Sequence, residues 1–190
     1  QTIDYKRPAY KIRALIVSIA ASIDILIVGY TYFSSHADTP IDYNLYLKDI
    51  KTDQPSNDIE LVLADNKTIS IKEDTVDLVY NKEGILSVNT QDMDESSSTE
   101  MNQLSVPYGK SSTLTLSDGT RVHVNAGTRL VYPAIFDKHK RELYVDGEIY
   151  LNVVKEKDRP FIIRTSELEI RVLGTSLNVN AYSEIERQAI

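Results

Sequence analysis

Leu173-Gly174-Thr175-Ser176-Leu177-Asn178-Val179 sets a small acyl group, the Gly174 carbonyl, directly before a β-hydroxyl, that of Thr175. This is the minimal chemistry of an intramolecular N-to-O acyl shift: the hydroxyl attacks the preceding carbonyl carbon and the chain can break there. The same residues have a plainer reading. Glycine lets a backbone turn without a Cβ, and Thr175 and Asn178 can hydrogen-bond locally, so the stretch also suits a turn between two strands. Gly174 and Thr175 are therefore the candidate site residues, either as a self-cleavage bond or as a strand turn.

Other side chains offer less chemistry. Asp118, Glu142, Asp146 and Glu148 are the carboxylates that could serve an enzyme, but Asp-Gly and Gly-Glu pairs are most simply turn residues. No nucleophile, base and orienting group stand together, so an enzyme acting on other molecules is not expected. His123 or Asp118 could assist a proton transfer, although nothing in the sequence places either beside Thr175. His36, His123 and His139 lack ligand spacing, and the absence of cysteine excludes disulfides, thiolate nucleophiles and cysteine-based metal sites. Neither a cofactor nor a metal is expected. A net charge of −7 leaves no basic surface for phosphates, so direct nucleic-acid binding is not expected either.

The elements that would position Gly174 and Thr175 begin with a hydrophobic segment. Residues 14–33 read ALIVSIAASIDILIVGYTYF. As a helix rising ~1.5 Å per residue, that length matches a hydrocarbon core of ~30 Å. Lys6, Arg7, Lys11 and Arg13 precede it, Asp38 and Asp42 follow it, and Tyr30, Tyr32 and Phe33 fall at one interface. The positive-inside rule then puts residues 1–13 in the cytoplasm and the remainder outside. Asp24 near the centre costs roughly 2.5–3.5 kcal/mol, while the Leu, Ile, Val and Phe residues of the segment return roughly 3–6 kcal/mol, so insertion is favoured. Three states would accommodate Asp24: protonation, contact with water, or pairing with a partner helix, which its small neighbours (Ala20, Ala21, Ser22) suit. A signal peptide cleaved after Ser35-His36-Ala37 is the rival to an uncleaved anchor.

Beyond the span the chain reads as β-structure, in a membrane-proximal segment (34–103) and a second β-domain (104–190). Leu61 to Ile71 alternates apolar and polar residues around an Asp-Asn turn, and Leu114 to Val124 repeats the pattern 53 residues later, Asp65 to Asp118. Thr75 to Tyr80 and Thr128 to Tyr132 continue the similarity, suggesting a duplicated hairpin-plus-strand unit or two ordinary hairpins that converged. Gln91 to Gln103, acidic and serine-rich, reads as a mobile loop or linker. Strands are then expected at Arg141 to Val145, Ile149 to Val154, Phe161 to Thr165, Leu168 to Leu173 and Leu177 to Tyr182. Short strands with no long helical pattern predict an all-β domain of sandwich, jelly-roll or β-roll type, preceded by one transmembrane helix. The final residues are too few for another hairpin, so the domain looks truncated.

The order of six blocks makes the reading specific: Pro107-Tyr108-Gly109-Lys110-Ser111-Ser112; Leu114-x-Leu116-x-Asp118-Gly119-Thr120; Asn125-Ala126-Gly127-Thr128-x-Leu130-x-Tyr132-Pro133; Arg141-x-Leu143-x-Val145-x-Gly147-Glu148; Arg159-Pro160-Phe161-x-Ile163-x-Thr165; and Val172 to Val179. From about Ser105 to Glu184 the chain resembles the FecR-type anti-sigma regulators. Thr128 stands where that family often has serine, and Leu177 where it usually has phenylalanine. The resemblance implies a single-pass inner-membrane protein of a Gram-negative bacterium, with wording similar to the Bacteroidetes branch. It implies a cytoplasmic segment that holds an extracytoplasmic-function sigma factor and a periplasmic part that senses the signalling domain of a TonB-dependent outer-membrane transporter. The residues before the span are too few for a sigma-binding domain. Some relatives cleave themselves at this Gly-Thr, which would make Gly174 the acyl donor and Thr175 the nucleophile. The alternative function is a periplasmic structural or glycan-binding β-module.

Overall fold

The structure is a computed structural model and describes residues 23–31, 56–92 and 100–183. The chain divides into two compact units, 1–42 and 43–190. In the first, residues 23–31 are helical, and the side chains of Ile23, Ile25, Leu26, Ile27, Val28 and Tyr30 are all exposed. Among the described residues no helix is long and apolar enough to cross a membrane. The span expected at 14–33 lies mostly outside those residues, as do the basic flank and the Ser35-His36-Ala37 site.

The described residues of the second unit are all-β, as expected. Its strands are β1 (Ile59–Val62), β2 (Thr68–Ile71), β3 (Thr75–Tyr80), β4 (Leu86–Val88), β5 (Gln91–Asp92), β6 (Met101–Val106), β7 (Ser111–Thr115), β8 (Arg121–Val124), β9 (Thr128–Pro133), β10 (Arg141–Asn152), β11 (Phe161–Arg164), β12 (Glu169–Val172) and β13 (Ser176–Ala181). They form two sheets that share β10. One sheet runs β2-β1-β6-β9-β10-β11-β12 and the other β5-β4-β3-β7-β8-β10-β13. Pairing is antiparallel except between β3 and β7 and between β10 and β11. Alternation along the strands decides which side chains go inward: Val76, Leu78 and Tyr80 of β3 are buried while Thr75, Asp77 and Val79 face out. Ile59, Leu61, Leu104 and Leu130 from one sheet and Leu78, Leu114, Val122 and Ile149 from the other fill one core.

The two similar hairpins fold alike. Leu61 pairs with Ile69 in the first and Leu114 with Val122 in the second, and Ile59 with Ile71 as Ser112 with Val124. The turns repeat the same bonds: Leu63 N–H to the Lys67 carbonyl and Asn66 N–H to the Leu63 carbonyl, then Leu116 N–H to Thr120 and Gly119 N–H to Leu116. Each is a three-residue loop with one left-handed residue, Asn66 at φ 66 or Gly119 at φ 85, so only the second member of each Asx pair uses positive φ. The third strands also correspond, with Tyr80 of β3 and Tyr132 of β9 meeting edge-to-face at 5.7 Å in the core. The repeats are intertwined. β1 and β2 lie in the same sheet as β9 and β10, whereas β7 and β8 lie with β3 and β4. β3 sits directly against β7, while β6 is inserted between β1 and β9.

Two sequence expectations change. Arg141–Val145 and Ile149–Val154 are not separate strands, because Asp146-Gly147 bends β10 without ending it. Gly147 has φ +130, and a Cβ there would lie 2.4 Å from Thr128 Oγ1, so the bend needs glycine. The acidic stretch from Gln91 to Gln103 starts in β5 and ends in β6, where Asn102 and Gln103 are buried; residues 93–99 lie outside the described part. Asn102 is kept dry by partners. Its Oδ1 accepts the Ala64 N–H at 2.9 Å and its Nδ2 donates to Tyr80 Oη at 3.1 Å.

Candidate functional site

Gly174 lies where the chain leaves β12 in one sheet and enters β13 in the other. Its φ is +144, and a Cβ would lie 2.4 Å from Lys155 Cα, so the backbone at 155 occupies the space that any other residue would need. Hydrogen bonds pin both sides of the Gly174-Thr175 bond. Glu156 N–H donates to the Leu173 carbonyl at 2.8 Å, and Val153 N–H donates to the Thr175 carbonyl at 3.3 Å. The Thr175 side chain is exposed, and among the described residues no hydrogen bond to its hydroxyl is found.

Lys155, against which Gly174 packs, belongs to a segment, 153–160, that a buried cation also holds. Arg141 is fully buried; its Nη1 donates to Asp118 Oδ2 at 2.8 Å and to the Val154 carbonyl at 2.8 Å, and its Nε donates to the Arg159 carbonyl at 3.1 Å. The guanidinium also lies over the Phe161 ring, 5.3 Å from its centroid, and Nη2 is buried with no hydrogen-bond partner. Asp118 additionally accepts the Thr120 hydroxyl (2.7 Å) and the Thr120 N–H (2.9 Å), and Thr120 Oγ1 accepts the Val154 N–H at 3.2 Å. The Asp118-Gly119-Thr120 turn, the first residue of β10 and the 153–160 segment are thus tied together by one polar cluster around the buried Arg141. Arg159 extends it outward through its pair with Glu156 (3.1 Å).

The four candidate carboxylates are not brought together. Asp118 holds Arg141; Glu142 pairs with Arg164 and with Lys140. Asp146 Oδ1 accepts the Ser183 N–H at 2.9 Å. Glu148 accepts a hydrogen bond from Asn178 Nδ2 at 3.0 Å, and this bond, then one from Asn125, holds its carboxyl below the ordinary range. His123 lies on β8, 3.3 Å from Thr113 Oγ1 and stacked on Tyr150. His123 and Asp118 are therefore each engaged elsewhere and neither is seen to contact Thr175. Among the described residues no cluster of three or more His, Asp or Glu could hold a metal ion.

Sequence reasoning missed Arg141, Thr120 and Asn102. A lone arginine opening the apolar strand Leu143-x-Val145, with an Asp-Gly-Thr turn available to neutralise it, was the one available signal for the first two.

Residues 102–187 match the model of the FecR protein family. Two crystal structures of a candidate anti-sigma factor from Parabacteroides distasonis ATCC 8503 are similar to this chain. One is 43% identical over 44% of this chain and 39% of that chain, with a TM-score of 0.44. The other is 44% identical over 43% of this chain and 39% of that chain, with a TM-score of 0.43. The match thus spans about two fifths of the length of those solved structures, 39%. No curated protein matches. The match to the FecR protein family thus runs from β6 past the Gly174 crossing and through β13, and over residues 102–187 the chain is similar to that family.

Proposed function

We propose that this chain is the membrane-anchored sensing part of an anti-sigma regulator, with residues 14–33 crossing the inner membrane and the β-unit in the periplasm. In this reading the β-unit takes its signal from a TonB-dependent outer-membrane transporter and passes it to an extracytoplasmic-function sigma factor, changing transcription without touching DNA. The observation that carries it is the family match over β6 to β13, joined to a basic-flanked apolar segment on the N-terminal side. The helix at 23–31, with its apolar side chains uncovered, supports the anchor. Deleting the gene should change the transcripts controlled by one extracytoplasmic-function sigma factor. An unchanged transcriptome under both inducing and repressing nutrient conditions would overturn the reading.

Self-cleavage at Gly174-Thr175 is part of the same proposal. Thr175 Oγ attacks the Gly174 carbonyl carbon, and its proton passes to the departing Thr175 nitrogen. The amide C–N bond breaks as the ester forms. Water then hydrolyses the ester, leaving the Gly174 carboxylate and restoring the threonine hydroxyl. Two features favour it: a Gly174 backbone in a region that side chains avoid, and an exposed Thr175 hydroxyl. The pieces would remain joined, because β13 pairs with β10 from Ser176 to Ala181 across the break. On a denaturing gel the wild-type chain should give two bands and Thr175→Ala one. A single full-length band from the wild-type protein in its native membrane would refute cleavage and leave the regulator reading standing.

A further inference from the structure

The cleavage proposed at Gly174-Thr175 puts a negative charge on the Gly174 carbonyl oxygen while the carbonyl carbon holds both Thr175 Oγ and the Thr175 nitrogen. A positive charge or a hydrogen-bond donor beside that oxygen speeds such a step. The main-chain donors seen around the bond are already given away, Glu156 N–H to the Leu173 carbonyl and Val153 N–H to the Thr175 carbonyl. Asp118 and Glu148 have the wrong sign. Arg141 is buried against Asp118, and His123 is engaged with Thr113 and Tyr150.

Lys155 is the cation that the fold brings to this bond. The hydrogen bonds from Val153 and Glu156 pin the segment on both sides of it, so its main chain is fixed against the crossing. Its Cα, Cβ and Cγ lie 2.4, 2.7 and 3.0 Å from where a Cβ on Gly174 would stand. The stem therefore begins along Gly174, and the ammonium at its end is tethered to the neighbourhood of the scissile carbonyl. Glycine fits this arrangement twice: it is the small acyl donor, and its missing side chain leaves room for the lysine stem. Lys155 is exposed, and among the described residues no carboxylate pairs with it. The adjacent Glu156 is taken up by Arg159 through both carboxylate oxygens, at 3.1 Å each. The charge of Lys155 is thus neither buried nor spent on a neighbour.

We propose that Lys155 supplies the positive charge for the acyl shift, an inference that rests on the cleavage reading above. Its ammonium offsets the negative oxygen of the tetrahedral intermediate, while the Thr175 Oγ proton passes to the departing nitrogen as before. The lysine neither gains nor loses a proton. A buried donor to such an oxygen is worth about 10²–10³ in rate; an exposed lysine, screened by water and salt, should be worth about tenfold. The full chain can be synthesised in a pulse in its own membranes and its cleavage followed over time on denaturing gels. Lys155→Met should slow cleavage about tenfold, while Lys155→Arg, which keeps the charge, should stay within about threefold of wild type. Lys157→Met removes another exposed charge from the same segment and should leave the rate unchanged. In the uncleavable Thr175→Ala chain, adding Lys155→Met should not move the urea midpoint; a lowered midpoint would assign the slowing to folding and overturn the proposal. Wild-type speed in Lys155→Met, or equal slowing in Lys155→Arg or Lys157→Met, would overturn the role of Lys155 and leave cleavage standing. A wild-type chain that never breaks would remove the cleavage reading and this role with it.

Discussion

Asp118→Ala tests whether the buried arginine holds the segment behind Gly174. Arg141 has no exposed surface and Asp118 almost none (0% and 3% of their side chains), so removing the carboxylate leaves a guanidinium in the protein interior. What remains to it is two carbonyls, Val154 and Arg159, and Glu156 Oε2 at 3.6 Å, a carboxylate that is 38% exposed and already bonded to Arg159. Breaking one side of such a pair costs about 3–5 kcal/mol. That is a large part of the ~5–15 kcal/mol that holds a domain folded. For a unit of this size it lowers the melting temperature by about 10–20 °C. Thermal and urea unfolding of the purified chain measure the loss. Asp118→Leu with Arg141→Met removes both charges and should recover most of it, since no uncompensated charge remains. Hydrogen exchange adds a local readout: in Asp118→Ala the amides of Val153 and Glu156, which bond the carbonyls on either side of Gly174, should exchange faster than those in the β1–β2 hairpin. A cost below about 1 kcal/mol, or a double variant no more stable than the single one, would refute the reasoning.

Other consequences are equally direct. Gly174→Ala forces a Cβ against Lys155 Cα at a φ of +144 and should destabilise the chain by about 2–4 kcal/mol in urea unfolding, whether or not the bond is ever cleaved. Asn102→Leu takes the acceptor from Ala64 N–H and a donor from Tyr80, and should cost about 1–3 kcal/mol in the same assay. Burial, with the neighbouring Tyr80, holds the Tyr132 phenol well above its ordinary 10.0. Its contribution is therefore complete below pH 10.0 and falls as the pH rises beyond it, because the unfolded chain releases the proton first. Unfolding free energies across that alkaline range should drop less steeply in Tyr132→Phe.

Much of this architecture is legible in the sequence because alternation is a local signal. Apolar residues at every second position mark both hairpins, and their registers coincide residue for residue with the pattern. What alternation cannot carry is which strands become neighbours. The insertion of β6 between β1 and β9, and the direct β3–β7 pair, join residues dozens of positions apart and depend on the whole core. Asp146-Gly147 misled for a definite reason: the same dipeptide that closes a hairpin at 118–119 only bends a strand where Thr128 packs against the missing Cβ. At Gly174 the residues were identified from chemistry alone, but the reason for glycine was not, because Lys155 reaches it from a separate segment. Arg141 escaped notice since charged residues are ordinarily exposed, and only the fold reveals that Asp118 waits for it in the interior.

The regulator reading stands or falls on a partner. The intact protein, tagged and expressed at native level, can be cross-linked in its own membranes, captured, and its companions identified by mass spectrometry. An extracytoplasmic-function sigma factor recovered with it, and absent when an unrelated single-pass membrane protein is captured in the same way, is the expected result. Full recovery of the intact, membrane-embedded protein with no sigma factor attached, with or without the transporter's nutrient, would contradict it.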